Sequence, residues 1–197
     1  VSQNTAPRAL RADAQRNVDA LLEAAKAVFG ASGVDAPAKE IADLAGVGVG
    51  TLYRHFPRRS DLVKAVFQHE VDACAGAAPA LAEVHEPVEA LEKWLHRYTE
   101  FLVTKRGLAS SLHSGDPAFD ALPAYFLGRL GPALGSLLDA ATKSGEIRAV
   151  ASPKDLLYAV SKLSLPMEDE GPDHGRRMVD LLVDGLQHGA GSNSSCS

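Results

Sequence analysis

The stretch EIADLAGVGVGTLYRHFPRRSDL, residues 40–62, decides the fold. Ile41, Ala42, Leu44 and Ala45 supply an apolar side to a short helix, roughly Pro37 to Ala45, and Pro37 suits its first turn. Gly46 then takes the positive φ of a turn without steric cost, and Val47 anchors that turn to the core. A second short helix runs from about Val49 to His55 and is closed by Phe56-Pro57. Two short helices about a glycine turn are what a helix-turn-helix needs. The second exposes Val49, Thr51, Tyr53, Arg54 and His55, with Arg58 and Arg59 just beyond its end. Val49 suits a thymine methyl, Thr51 a base or phosphate, and Arg54 a bidentate guanine contact. Tyr53, His55 and Arg59 suit phosphates, which set register rather than sequence. Periodicity alone leaves a blander reading open, with the aromatics as core and Arg58-Arg59 as a solvated corner.

Longer helical patterns flank this segment. Ala14, Val18, Leu21, Leu22, Ala25, Val28 and Phe29 form one stripe, stopped by the glycines at 30 and 33. After residue 59, Ser60 is an N-cap and Asp61 suits the first turn of a helix carrying Leu62, Val63, Val66, Phe67, Val71 and Cys74. Gly76 to Pro87, with two prolines, reads as a connection. Val88, Leu91, Leu95, Tyr98 and Leu102 mark a long helix, and Gly107 to Pro117 a loop or broken helix. Leu122 to Ser144 is helical in pattern, with a break or kink expected at Gly131-Pro132. Ser152-Pro153-Lys154-Asp155 is a helix start with cap, first-turn proline and capping-box acid. A last helix carries Met178, Val179, Leu182, Val183 and Leu186 before a Gly/Ser/Asn-rich tail expected to be disordered. No strand and no repeat stands out, so the predicted fold is all-α. Its parts are a DNA-binding domain at 12–58, a linking helix at about 60–75, a helical domain at 76–189 and a tail at 190–197.

Composition is that of an ordinary globular chain, with 46% hydrophobic and 23% charged residues. No apolar run suggests a membrane span, the polar segment from Val1 to Arg16 has no signal-peptide character, and two cysteines make no disulfide framework. A cytoplasmic protein without a membrane partner is expected. The net charge of −5 does not advertise nucleic acid, but its distribution is uneven. Residues 1–70 hold nine Lys/Arg against eight Asp/Glu, leaving eleven against seventeen for the remainder. Only the first third would not oppose a phosphate backbone.

Residues 40–62, with the preceding Phe29-Gly30-Ala31-Ser32-Gly33, resemble the signature of the TetR family of transcriptional regulators. The shared features are an Ile-Ala pair, an Ala-Gly-Val turn, a Gly-Thr-Leu-Tyr recognition helix, a His-Phe pair and a basic residue before the next helix. The resemblance covers Gln15 to Val71. It implies that Tyr53, His55 and Arg59 contact phosphates and that Val49, Thr51 and Arg54 face the groove. Two departures stand out: Gly48 replaces the Ser or Thr of many members, and Asp35-Ala36-Pro37-Ala38 lacks their threonines, with Lys39 as the substitute contact.

The resemblance also implies a C-terminal half that dimerises and binds a small molecule, supported by Leu137-Leu138-Asp139-Ala140-Ala141 and Gly145-Glu146-Ile147-Arg148. The stripes Leu156, Val160, Leu163 and Met178, Leu182, Leu186 predict a two-fold helix pairing, since one small bundle does not easily bury both. Trp94, Tyr98, Phe101, His113, Tyr125, Phe126 and Met167 are the predicted lining of an organic effector's pocket, with ordinary core as the alternative for each. Double-stranded operator DNA, a second copy and the effector are the predicted partners, and no cofactor is. A metal-responsive regulator is the alternative, because His85, His96 and His113 lie close in sequence, though in no common zinc spacing. An enzyme is weaker still. Ser110, Ser111, His113, Ser114 and Asp116 are near neighbours, but triads are defined by geometry and no nucleophile elbow is present.

Overall fold

A computed structural model describes residues 6–148, 152–165, 171 and 173–188. Among these, regular structure is helical throughout: α1 (Ala6–Ser32), α2 (Ala38–Leu44), α3 (Val49–His55), α4 (Arg59–Val84), α5 (Pro87–Gly107), α6 (Ala109–Leu112), α7 (Leu122–Lys143), α8 (Pro153–Leu163) and α9 (His174–His188), with a 3₁₀ turn at Pro117–Phe119. Residues 149–151, 166–170, 172 and 189–197 lie outside the described residues, so the expectations for Met167 and for the tail fall there. No described helix is long and apolar enough to cross a membrane.

The chain forms two compact units. One comprises residues 1–69 with 104–122, the other 70–103 with 123–197. The boundaries therefore fall inside α4, inside α5 and at the first residue of α7.

In the first unit, α1 packs on α2 and α2 on α3. The α1 stripe is buried from Leu21 onward, where Leu21 and Ala25 are fully enclosed and Leu22, Val28 and Phe29 nearly so, while Val18 is half-buried and Ala14 exposed. Ile41 and Ala42 of α2, Leu52 of α3, and Leu62, Val63 and Val66 of α4 complete this core. Leu44 does not join it. Assigned by pattern to the α2–α3 packing, it is 60% exposed. The next residues turn into a tight C-cap that fixes where α2 ends, and Leu44 sits on the outer side of that last turn.

Three proline and serine expectations are corrected. The segment from Gly76 is not a connection, because α4 continues to Val84 with Pro79 inside it. Six alanines between positions 73 and 82 carry the strongest helix preference and outweigh one proline. Likewise α7 runs unbroken through Pro132. Pro132 and the residue four before it, Gly128, are both exposed, so the carbonyl that loses its donor can turn to water. Ser60 lies in the first turn of α4 rather than capping it. The carboxylate of Asp61 takes that role, accepting from the backbone N–H of Arg58 at 3.1 Å.

In the second unit, Val88, Leu91, Trp94, Leu95, Tyr98 and Leu102 of α5 are buried, as are Leu130, Leu134, Leu137 and Ala141 of α7. Ser152 caps α8: its hydroxyl accepts from the N–H of Asp155 at 3.1 Å and donates to that residue's carboxylate at 2.7 Å. α8 packs on α9.

Candidate nucleic-acid interface

The turn between α2 and α3 is built by hydrogen bonds that only a glycine at its centre permits. The N–H of Val47 reaches back to the Ala42 carbonyl at 3.0 Å, and that of Gly46 to Asp43 at 3.2 Å. This nested pair is a Schellman motif, whose central residue must be left-handed, and Gly46 has φ +70°. The chain leaves the motif extended at Gly48, and α3 starts there on backbone alone: the N–H groups of Thr51 and Leu52 bond to the Gly48 carbonyl at 2.8 and 3.3 Å, with no side-chain cap.

Helix α3 is anchored by Leu52, 2% exposed, and its C-cap Phe56 is buried as well. The 3.6-residue period then turns Tyr53, Arg54 and His55 outward, while Val49 and Thr51 are half-buried. Tyr53 is 53% exposed. Among the described residues neither Tyr53 nor Arg54 makes a hydrogen bond or an ion pair.

The neighbouring cations are engaged. Lys39 pairs with Asp43 one turn on in α2, at 2.6 Å. Arg58 grips the carboxylate of Asp61 through Nε at 3.1 Å and Nη2 at 2.8 Å. That hydrogen bond holds the Asp61 carboxyl below its ordinary value and raises Arg58 above its own. Arg59 is turned inward. Its guanidinium donates to the Ala36 carbonyl and lies 5.5 Å from the centre of the Phe29 ring. The arginine expected at a phosphate thus ties the loop before α2, the end of α1 and the start of α4 together.

Arg59→Ala is therefore expected to lower stability by about 1–3 kcal/mol, the size of a charged hydrogen bond plus a cation–π contact. Arg54→Ala should leave stability nearly unchanged. Urea unfolding of the two variants tests this, and an Arg59→Ala protein as stable as the parent would remove the structural role.

The residues expected around an effector are not all brought together. Trp94, Tyr98, Phe101 and Phe126 form one stack in the second unit, with ring centres 5.9–6.2 Å apart. All four are buried. Trp94 Nε1 donates to the Cys74 carbonyl at 2.9 Å, and the Tyr98 hydroxyl to the Leu157 carbonyl at 3.1 Å. Burial pushes the Tyr98 phenol up and the Cys74 thiol up to about 12, so both stay protonated at neutral pH. Tyr125 is half-buried and donates to Asp72 at 2.7 Å, while Arg129 donates to the same carboxylate at 2.6 Å. Partial desolvation, then the Asp72 bond, raises the Tyr125 phenol.

His113 stands apart from these. It is exposed, belongs to the first unit, and its Nδ1 donates to the Ala109 carbonyl at 2.8 Å. The nearby acid Asp116 accepts from the N–H of Ala118 at 2.9 Å, starting the 3₁₀ turn. These contacts organise a loop and leave no His–Asp hydrogen bond of the kind a triad needs.

Of the predicted dimer stripes, Leu156 and Val160 are enclosed in their own unit and Leu186 is 9% exposed. Met178 and Leu182 are half-buried. Leu163 is 42% exposed, and the pattern missed three other exposed apolar side chains, Tyr158, Leu165 and Leu181. The amphipathic stripe finds the face that covers a helix's own core; apolar side chains outside that period give no such signal.

An all-helical chain that holds a helix-turn-helix on a buried core and turns the second helix's polar side chains outward is, by class, a DNA-binding transcriptional regulator. The comparisons agree. Residues 21–66 match the tetR family of bacterial regulatory proteins, and residues 86–188 match the C-terminal domain described as transcriptional regulator SbtR-like. The TetR transcriptional regulator SCO0520 of Streptomyces coelicolor is 35% identical, with 86% of this chain and 98% of that one covered and a TM-score of 0.75. A TetR transcription regulatory protein of Mycobacterium vanbaalenii is 34% identical over 90% of this chain and 99% of its own, with a TM-score of 0.71. An HTH-type transcriptional regulator of Staphylococcus aureus is 29% identical over 109 residues, and the chain spans 59% of that relative's length. This chain belongs to the TetR family of transcriptional regulators.

Proposed function

We propose that the protein is a repressor that binds an inverted-repeat operator as a homodimer and leaves it when a small organic effector occupies its C-terminal half. One observation carries the DNA side of this reading. α3 is held from behind by Leu52 and presents Tyr53 and Arg54 to solvent with no side-chain partner among the described residues. An unpaired guanidinium on the outer face of a recognition helix suits the O6/N7 edge of guanine, and the flanking Tyr53 and His55 suit phosphates on either side. Val49 and Thr51 lie at the helix start, where a thymine methyl and a base or phosphate fit them. Lys39 and Arg58 add charge near the backbone once their carboxylate partners are exchanged for phosphate.

Dimerisation rests on Tyr158, Leu163, Leu165 and Leu181, whose exposed apolar surface a two-fold partner would cover. A dimer sets two α3 helices about one DNA turn apart, ~34–36 Å. The effector reading rests on the aromatic stack, whose apolar body with the Tyr98 hydroxyl fits an organic molecule once the helices part. Release follows if the effector binds more tightly to a state in which the α3 spacing no longer fits successive grooves.

Selection from a random DNA pool at two salt concentrations tests the core of this. The expected result is an enriched inverted repeat whose binding weakens with salt. Enrichment of a single, non-repeated site by a protein that runs as a monomer would overturn the dimeric reading.

A further inference from the structure

We propose that Glu92, His96 and Asp180 form a binding site for a divalent transition-metal cation, of which Zn²⁺ is the first choice. The inference is independent of the organic-effector reading and of the DNA interface. Glu92 and His96 stand one turn apart on α5, and Asp180 comes from α9. His96 Nε2 lies 3.0 Å from Asp180 Oδ1 and 3.7 Å from Glu92 Oε1, and the three donor atoms all lie within 4.8 Å of one another. Bonds of about 2.0–2.2 Å around a tetrahedral zinc put neighbouring donors about 3.3–3.6 Å apart, so the separations bracket what one central ion needs.

A simple ion pair accounts for less of this geometry. An imidazole nitrogen has one hydrogen or one lone pair, in one direction. It can donate to Asp180, and at 3.7 Å Glu92 is too far to accept a hydrogen bond. Two carboxylates nonetheless converge on that single nitrogen. A cation seated among the three takes one lone pair from each and removes the carboxylates' mutual repulsion. The ring is well placed to serve: His96 is 13% exposed, so little solvent competes for it. Its other nitrogen, Nδ1, is buried without a hydrogen-bond partner among the described residues.

The site opens on a groove of about 740 Å³ in the same unit, lined also by His85, Glu89, Lys93, Arg97 and Arg176. The competing cations there are already paired except Arg176, which is exposed. Lys93 lies 3.4 Å from Glu89, Arg97 3.1 Å from Glu100, and His85 3.2 Å from Glu89. One nitrogen and two oxygens suit zinc, manganese or nickel better than calcium or magnesium. Three protein donors leave a position for water or for an oxygen of a molecule in the groove. Loading would fasten α9 to α5, so the position of α9, which carries the exposed Leu181, would depend on the ion.

The test is calorimetric titration of the chelator-treated full chain with ZnCl₂ and, separately, MnCl₂. The expected result is saturable Zn²⁺ binding that weakens at least roughly tenfold in Asp180→Asn and in Glu92→Gln and is lost in His96→Gln. Asp180 is about half exposed, at 47%, so its variant is expected to fold and keeps the test decisive should His96→Gln not. His85→Gln should change affinity less than twofold. No saturable Zn²⁺ binding in the parent, or binding that Asp180→Asn leaves intact, would overturn the proposal, as would an equal loss in His85→Gln.

Discussion

Arg54→Ala is expected to cost about 1–3 kcal/mol at each half-site, and therefore ~2–6 kcal/mol for a dimer on an inverted repeat. That is a loss of roughly thirtyfold to more than ten-thousandfold in operator affinity. Arg54 lies on the outer face of α3 with no hydrogen bond or ion pair to other described residues, so its removal disturbs no internal contact. Stability should stay within about 0.5 kcal/mol of the parent, as for surface substitutions in general. The loss should be selective: the position read by the guanidinium should become degenerate in a repeated selection. Tyr53→Phe removes only a hydroxyl and should weaken all sequences alike by about 0.5–1.5 kcal/mol per half-site. The two variants separate base reading from backbone positioning. Arg54→Ala with uniformly weaker binding and an unchanged preference would show that Arg54 is a phosphate contact.

The sign of the arginines is what a linear sequence does not reveal. Arg54, Arg58 and Arg59 are near neighbours, and periodicity alone gave each an outward role. Of the three, Arg54 alone keeps it without a side-chain partner among the described residues. Arg58 closes on Asp61 three residues later, a local pairing readable from spacing. Arg59 reaches back 23 residues to Ala36, and nothing in the local pattern anticipates that. The same distinction runs through the fold. The α2–α3 turn was legible because Gly46 and the small Ala45 express a local backbone requirement, and the positive φ of Gly46 follows it. The core stripes were legible because burial imposes a period. The length of α4 and the continuity of α7 through Pro132 were misjudged because proline is a strong local signal, and here alanine-rich surroundings and solvent-facing placement override it. The cluster of Glu92, His96 and Asp180 was invisible for the opposite reason, since its third member is 84 residues from the second, 180 − 96. The α8 and α9 stripes were real amphipathic signals, but Leu156 and Val160 point into their own unit. Period alone does not distinguish a helix's own core from a partner's.

The second large effect belongs to Trp94. Trp94→Ala is expected to destabilise the protein by about 3–5 kcal/mol, measured as the shift in urea-unfolding free energy. The side chain has no exposure, stacks on Tyr98 at 5.9 Å and donates to the Cys74 carbonyl. Truncation removes the transferred area of a large aromatic, leaves a void in the core, and deletes the buried hydrogen bond to the Cys74 carbonyl. Trp94→Phe keeps most of the stack and should cost clearly less. Tyr98→Phe, which deletes only the bond to Leu157, should cost about 1–3 kcal/mol. Because Trp94 and Tyr98 touch, the double variant should not lose the sum of the two single costs. The same series decides what the aromatic stack is for. If these rings are a packed core, Trp94→Ala loses stability and a small aromatic solute such as indole restores part of it by filling the void. If the rings instead border a space that is open in the free protein, Trp94→Ala is tolerated to within about 1 kcal/mol and indole raises the melting temperature of the parent as much as that of the variant. The close stacking of four buried rings favours the first outcome, in which an effector entering here must first separate rings that stabilise one another, and so binds only by favouring a different arrangement of α5 and α7.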